Sequence, residues 1–480
     1  MDPVAIFLLT IAAIFLIGVL GEIVFEKTGV PDVVWLITVG VLLGPVSGVV
    51  DRGSLSAVAP YFGAVTLVIV LFDGGSGLRL KELGGAASRS SLLAILCFVS
   101  SVVALAGVSM LLARWGVLPA SWSWLHGIML GAILGGSSSV VIMPALRKAG
   151  LAPRLSNVLN LESALTDVLC VVVAMAAVQI AVTGATDASA AAATLGKAFG
   201  IGLGVGAVAG LLALLALKKL KKSHHAYPLI LGTLLLLYVA IEHLGGSPAL
   251  GILAVAVIVG NAPVLSEAVG LAKSTGLSHG VTNTHGQITF IVKSFFFTFI
   301  GAMLGPPWTL VLVGVGLGLV LLLVRVPAVF LGTLGSGLPP GARGLVTVAL
   351  PRGMAAGVLA MLPVQAGLAG TEGLPVVVFA GVITTIAIFA VGFPVFRRKL
   401  AAGAAPTAEP GAAEAAPAPT MADSTPVGGA DDASGEAVSM DGTGDLSPPA
   451  LEPARPPAEP TTAGDRSDAA SGSSPPPEPA

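Results

Sequence analysis

Thirteen apolar stretches, each roughly long enough to cross a bilayer as a helix, constrain the fold of this chain more than any other feature. They lie at 3–21, 33–50, 57–78, 91–113, 125–146, 157–182, 195–217, 227–244, 248–265, 284–305, 307–331, 344–366 and 375–396. The chain is 55% apolar and only 10% charged, whereas soluble domains carry about 25% charged residues. We therefore expect an all-α polytopic membrane protein with about 13 transmembrane helices in contact with the lipid bilayer.

Lysine and arginine are distributed unevenly over the predicted loops. With the N-terminus outside, sixteen fall on the inner side and three (Arg52, Arg114 and Lys197) on the outer side. Because cytoplasmic loops carry such an excess of positive charge, we predict a multi-pass protein of the cell inner (plasma) membrane with a cytoplasmic C-terminus. The first stretch has no basic flank and no small-residue cleavage site, so we expect a retained helix rather than a signal peptide.

The composition changes completely after residue 400. Residues 401–480 are rich in Pro, Ala, Gly, Ser and Thr, and contain thirteen acidic residues against Arg455 and Arg466. Such a segment has too little apolar surface to offset its ordering entropy. We expect a transmembrane domain over 1–400 and a disordered, acidic cytoplasmic tail over 401–480, which is either a solvated appendage or a binding segment for a regulator.

Two of the apolar stretches are interrupted by helix-breaking residues. The fifth contains Gly-Gly-Ser-Ser-Ser at 135–139 and then Pro144; the twelfth contains Pro-Arg-Gly at 351–353. Non-helical backbone at membrane depth is tolerated only where protein or a water-filled cavity satisfies it. Each is the middle member of a three-helix set, and the two sets start on opposite sides. This pattern predicts inverted repeats with two interrupted helices that cross at a midplane site.

Two carboxylates, Glu162 and Asp167, lie inside the sixth stretch. Ionisable groups at that depth are costly and therefore mark functional sites. Their five-residue spacing places them about 140° apart around a helix, so one can be locked by an arginine while the other opens to water. We assign the transport role to Asp167, because loss of hydration favours protonation of a carboxylate and its oxygens also suit a small cation. The neutral oxygens are expected from Thr166, Ser137, Ser138 and Ser139.

The remaining charges at membrane depth are expected to be structural or balancing groups. Glu162 is predicted to pair with Arg352, since an isolated buried charge is too costly. Arg325 either balances a site carboxylate or extends to the interface, and Lys293 is a structural or gating group. Asp73, at the inner end of the third stretch, is expected to be interfacial. The alternative is a purely structural cluster of ion pairs without a transport role.

These residues resemble those of the monovalent cation:proton antiporters, specifically the prokaryotic sodium/proton exchangers (NhaP-like, CPA superfamily). The resemblance covers residues 1 to about 398 and is most specific at 162–167 (ESALTD) and 351–353 (PRG), with weaker support at 71–75 and 295–301. It implies the sodium/proton antiporter fold, a homodimer, and a core that moves relative to the dimer domain in an elevator-like cycle. It also implies that Asp167 binds H⁺ and the transported metal cation alternately, and that Glu162 and Arg352 form a stabilising pair.

Two departures from the family pattern bear on ion choice and stoichiometry. Thr166 stands where the family usually has Asn or a second Asp, which resembles the electroneutral branch. Ser137-Ser138-Ser139 replaces the family's Thr-Asp-Pro and removes a cation ligand. Sodium is expected as the exchanged ion, with Li⁺ and K⁺ as alternatives.

Other function classes fit the sequence less well. A potassium efflux system or cation channel on the same scaffold is the alternative, but the tail contains no Gly-rich nucleotide-binding turn. An intramembrane enzyme would need a nucleophile with its base or a metal-spaced His/Asp set; no histidine accompanies Ser139 and Asp167. Cys97 and Cys170 lie in apolar runs and are expected to be buried thiols. We therefore expect a secondary transporter rather than an enzyme, with no cofactor and no nucleic-acid partner.

Overall fold

The computed structural model describes residues 3–28, 30–78, 87–149, 153–184, 188–220, 225–268, 277–335 and 340–403. Within these ranges the chain is helical and forms no strand. The helices are α1 (Pro3–Thr28), α2 (Asp32–Val41), α3 (Arg52–Gly77), α4 (Ala87–Arg114), α5 (Trp124–Ile133), α6 (Ser139–Lys148), α7 (Pro153–Thr183), α8 (Ala188–Leu220), α9 (Ala226–His243), α10 (Pro248–Gly260), α11 (Ala262–Ala268), α12 (His279–Met303), α13 (Trp308–Gly332), α14 (Pro340–Val348), α15 (Met354–Leu359), α16 (Leu362–Gln365) and α17 (Leu374–Gly403).

All thirteen predicted spans contain helix. In the described part of the chain, nine helices are long and apolar enough to cross a membrane. Shorter apolar helices occupy the other four predicted spans, namely Asp32–Val46, Trp124–Ile133, Pro248–Gly260 and Met354–Gln365. The prediction of an all-α polytopic membrane protein is confirmed. The predicted tail lies outside the described residues, apart from its first three, which continue α17.

Helix ends coincide with residues that satisfy or redirect the backbone. Asp51 caps α3 by accepting a hydrogen bond from the Ser54 N–H at 2.9 Å, and Ser278 caps α12 in the same way. The short connection between α9 and α10 is a turn in which Gly245 has φ +72°, a conformation that residues with a Cβ rarely adopt. α2 continues into a wider π-helical turn over Leu42–Val46, with Pro45 inside it.

The two interrupted spans cross each other. The first is α5 and α6, with the break at 134–138, and the second is α14 and α15, with the break at 349–353. The Ser138 N–H donates to the Pro351 carbonyl at 2.8 Å. Each pair packs against the long helices of its own set, which are α4 and α7 for the first and α13 and α17 for the second. α13 also packs along α4, so the two sets share one interface.

The remaining long helices pack around these two sets through close backbone approaches. α10 lies against α3 and α8, while α12 lies against α2. A methyl group on Gly206 of α8 would collide with the Gly251 carbonyl of α10, so glycine there sets the helix separation. One such contact per turn explains the four-residue glycine spacing of α8 by packing alone.

Candidate functional site

A cavity of about 510 Å³ lies beside the crossing of the two breaks. It is bounded by the last part of α1, the C-terminal end of α3, α6, α7 and α12. Polar and charged side chains line it, namely Glu22, Asp73, Ser139, Arg147, Asn160, Asp167, Thr289 and Lys293. A polar cavity of this size at membrane depth can hold a hydrated ion or several waters.

Asp167 faces this cavity from α7 and is half-buried. Among the described residues it has no ion-pair or hydrogen-bond partner. It lies near α3, since a methyl group added to Gly74 would be 4.0 Å from Asp167 Oδ2. A carboxylate without a fixed partner that opens to a wet cavity can take up either a proton or a cation.

Glu162 points the other way and is completely buried. Its carboxylate receives two hydrogen bonds from the Arg325 guanidinium, with Nη1–Oε1 at 2.7 Å and Nη2–Oε2 at 2.8 Å. The different surroundings of Glu162 and Asp167 are therefore as their helical separation predicts. The predicted partner is wrong: Arg325 on α13, not Arg352, forms the pair. Arg325 is only 3% exposed, which also excludes an extension to the interface.

Arg352 lies in the second break and is 1% exposed. Its Nη1 donates to the Gly135 carbonyl at 3.3 Å, and its backbone N–H donates to Thr385 Oγ1 at 3.0 Å. Gly135 follows the C-terminal end of α5, where carbonyl groups lack intrahelical partners and carry partial negative charge. Arg352 thus places its positive charge against the end of a helix instead of against a carboxylate.

Three predicted cation-binding residues lie at the crossing, outside the cavity lining. The Ser137 N–H donates to Thr166 Oγ1 at 3.2 Å, and Thr166 Oγ1 donates to the Ser163 carbonyl at 3.1 Å. The Ser163 hydroxyl in turn donates to the Ser137 carbonyl at 2.7 Å. Ser138 uses its backbone N–H on the second break. Of the four predicted neutral residues, only Ser139 lines the cavity with Asp167.

Lys293 lines the cavity from α12, as an ion-paired group. Its Nζ is 2.5 Å from Oδ2 of Asp32, the first residue of α2. Both side chains are largely buried, at 13% and 17% exposure. Asp32 was not among the predicted site residues, because it directly follows Pro31 and resembles a loop residue. The sequence feature that could have identified it is that it is a single acidic residue at the start of an apolar stretch.

Asp73 is a cavity residue, which the sequence interpretation as an interfacial group did not anticipate. Its Oδ1 is 3.2 Å from His285 Nε2, and His285 Nδ1 is 3.1 Å from the Tyr227 hydroxyl. His285 and Tyr227 are buried. Three carboxylates therefore line the cavity, namely Glu22, Asp73 and Asp167, and of these Asp73 has a histidine partner. Asn160, about two turns before Asp167 on α7, is the other missed polar residue.

Comparison with known proteins gives one consistent match. Residues 10–397 match the family described as "Sodium/hydrogen exchanger, transmembrane". The K(+)/H(+) antiporter NhaP of Alkalimonas amylolytica is 28% identical over 268 residues, which is 55% of this chain and 45% of that protein. The low-affinity Na(+)/H(+) antiporter NhaS1 of Synechocystis is 25% identical over 300 residues, or 62% and 54%. The chain spans about half the length of the curated relatives it matches.

The fold also has a solved counterpart. The sodium proton antiporter MjNhaP1 of Methanocaldococcus jannaschii superposes with a TM-score of 0.65 at 19% sequence identity, covering 82% of this chain and 99% of that one. At this identity the likeness concerns the fold.

Proposed function

The chain belongs to the sodium/hydrogen exchanger family, and on that premise we propose that it exchanges a monovalent cation for a proton across the cell membrane. The observation that carries the proposal is Asp167. It is an ionisable group that has no fixed partner among the described residues, on a cavity of about 510 Å³, beside the crossing of two broken helices. A secondary transporter needs a group of this kind at the place where its two repeats meet.

Proton and cation compete for the same carboxylate. A protonated Asp167 has no charge to offer a cation, and a bound cation stabilises the ionised form. Ser139 and Asn160 line the same cavity and offer neutral oxygens, which are hard ligands suited to an alkali cation. Thr166, Ser137 and Ser138 are engaged with one another and with the second break. We assign them the role of positioning α7, and with it Asp167, against the crossing.

The balance of buried charge favours one-for-one exchange. Glu162 and Arg325 neutralise each other, and the positive charge of Arg352 offsets an ionised Asp167. Binding either a proton or a monovalent cation to Asp167 then adds one positive charge in both cases. The two loaded states carry the same charge, so a cycle in which both ions cross on Asp167 moves no net charge.

Sodium is the proposed ion and potassium is the second candidate. The relatives divide on this point, since NhaP of Alkalimonas amylolytica is named a K(+)/H(+) antiporter and NhaS1 of Synechocystis a Na(+)/H(+) antiporter. A site with one carboxylate and neutral oxygens can accept either ion, and Li⁺ as well. A potassium efflux system or channel on the same scaffold would move the cation without an opposing proton.

The wider proposal concerns the setting of the exchange. The N-terminus lies outside, the cavity of Asp167 opens to the cytoplasm, and the protein is a homodimer in the inner membrane. The set α4 to α7 with α13 to α17 is the part that moves in the elevator-like cycle. Glu22 and Arg147, at the cavity, lie at the end of the molecule that the loop charges assign to the cytoplasm.

Asp167→Asn tests the proposal in proteoliposomes with a lumenal pH dye. Addition of Na⁺, K⁺ or Li⁺ is expected to drive proton movement by the wild type and none by the variant, because the amide neither ionises nor offers a charge to a cation. The melting temperature of the Asp167→Asn variant should stay close to that of the wild type. Glu242→Gln, which removes an exposed carboxylate on α9, should retain full activity. Full exchange by Asp167→Asn would overturn the assignment, and cation flux without proton movement would favour the channel.

A further inference from the structure

A second cavity opens between α1 and α12, next to the cavity of Asp167. Its volume is about 670 Å³. The two helices touch where Gly18 of α1 faces Ser294, since a methyl group on Gly18 would lie 3.0 Å from the Ser294 hydroxyl oxygen. The cavity lies between these helices, with Phe15 and Glu22 on the α1 side and residues of 279–291 on the α12 side. We call this cavity the α1–α12 wedge.

One stripe of α12 lines the wedge and continues into the cavity of Asp167. The stripe has helical spacing and consists of His279, Thr282, Asn283, Gly286, Gln287, Phe290 and Lys293. Thr282, Asn283 and Gln287 are exposed. Amide side chains in hydrocarbon without hydrogen-bond partners are strongly disfavoured. Their alignment on one face, at the N-terminal end of α12 and along this cavity, therefore indicates that they meet water there rather than lipid.

The two cavities share three residues, Glu22, Gly286 and Phe290, and therefore adjoin each other. At Gly286 the connection is open, because a methyl group added there would meet nothing within 4 Å. Among the described residues Glu22 is the only acidic group lining the wedge, and it has no ion-pair partner there. A carboxylate at the junction of two polar cavities raises the local concentration of cations.

We propose that the α1–α12 wedge is the access route by which the monovalent cation reaches Asp167, and that Glu22 attracts the cation at the junction. This inference rests on the proposed function. Glu22 acts on cation arrival, while Asp167 remains the group at which proton and cation compete. The route passes Lys293 on its way to Asp167, and the pairing of Lys293 with Asp32 keeps that positive charge from opposing the cation.

Thiol labelling tests the wedge independently of transport. Cys97 and Cys170 are 2% and 3% exposed, so the unsubstituted protein provides a low background. Asn283→Cys and Gln287→Cys in proteoliposomes should react with a membrane-impermeant methanethiosulfonate present on both faces, and faster with a cationic reagent than with an anionic one, by about 10-fold. Leu319→Cys, exposed on α13 outside both cavities, is the matched control and should stay unmodified.

The role of Glu22 is tested by adding Glu22→Gln to the two wedge cysteines. In the Glu22→Gln background, the preference of the wedge cysteines for the cationic reagent should fall toward that of a free thiol. In the Asp167→Asn background, labelling of the wedge cysteines should be unchanged. The access route would be overturned if the wedge cysteines were as unreactive as Leu319→Cys. That result is also the one expected if a second copy of the chain covers this face, because the wedge would then be closed to the cation. An unchanged preference in Glu22→Gln would overturn the role of the carboxylate.

Transport kinetics then link the wedge to exchange. Glu22→Gln should raise the KM for the cation about 10-fold at low ionic strength, with less effect at high salt and an unchanged maximal rate. Gly286→Leu should slow exchange by filling the junction, whereas Gly316→Leu, at an equally open position on α13, should not. An unaltered KM in Glu22→Gln or full activity in Gly286→Leu would contradict the proposal. A wild type that labels in the wedge but exchanges nothing would instead refute the proposed function.

Discussion

Two carboxylates five residues apart on α7 meet opposite surroundings, and an arginine makes the difference. Arg325 holds both oxygens of Glu162 in a buried contact, a geometry that the planar guanidinium favours. Asp167 has a cavity in place of an arginine. The same side-chain chemistry thus gives a locked structural group at one position and an ion-accepting group at the other.

Removing either partner of the Glu162–Arg325 pair should destabilise the protein. Glu162→Gln leaves Arg325 as an uncompensated buried charge, and Arg325→Gln does the same to Glu162; breaking such a pair costs about 3–5 kcal/mol. The melting temperature in detergent should fall clearly in both variants, and the double variant should lose less than the two losses combined. Arg114→Gln, at an exposed position, is the control. Wild-type melting temperatures in both single variants would contradict the structural role.

The sequence predicted the division between Glu162 and Asp167 but chose the wrong arginine. The division follows from helical geometry, which five residues of sequence contain. The choice between Arg325 and Arg352 depends on α13 packing along α4 beside α7, and no local pattern encodes that packing. Asp32 was missed for the same reason, because its partner Lys293 is 261 residues away along the chain.

At the scale of the helices, each break is stabilised by groups from outside its own span. The Ser138 N–H of the first break bonds the Pro351 carbonyl of the second. The Arg352 N–H is satisfied by the Thr385 hydroxyl on α17. A methyl group on Gly353 would collide with the Ser138 side chain, so the close crossing also requires glycine. The Gly-Ser and Pro-Arg-Gly signals predicted where the spans break, while the bonds that hold the breaks come from tertiary contacts.

Thr385→Val should weaken the second break. The valine has nearly the same shape but cannot accept the Arg352 N–H, and a buried donor without a partner costs about 1–3 kcal/mol. Thermal stability and the rate of exchange should both fall. Thr384→Val is the matched control on the adjacent residue, because the Thr384 hydroxyl bonds only the Ala380 carbonyl of its own helix. Equal behaviour of the two variants would show that the Thr385 hydroxyl does not hold the break.

For the molecule as a whole, the proposed charge balance determines how exchange responds to voltage. Moving one net charge across the membrane changes the driving force by about 2.3 kcal/mol per 100 mV. If both ions cross on Asp167, this contribution is absent. The helical spans were predictable because a helix that crosses lipid needs an apolar stretch of sufficient length, whereas the cavity depends on which spans become neighbours.

We therefore expect exchange that is indifferent to membrane potential. In proteoliposomes, the initial rate and the final pH difference should be the same with the potential clamped at zero and set at about −100 mV. The Asp167→Asn variant gives the background leak in each condition. A final pH difference that follows the imposed potential would contradict one-for-one exchange and would require a second ion to be carried per cycle.

The crossing of the two breaks also sets a timing problem during synthesis. Arg352 and the Gly135 carbonyl that it contacts are separated by 217 residues along the chain. At ribosomal speed the second break emerges roughly 10–40 s after the first. Throughout that interval the broken backbone of the first has no second break to bond, and bare hydrocarbon cannot satisfy it. The nascent α5–α6 pair must therefore stay hydrated or held by the insertion machinery until the later helices arrive.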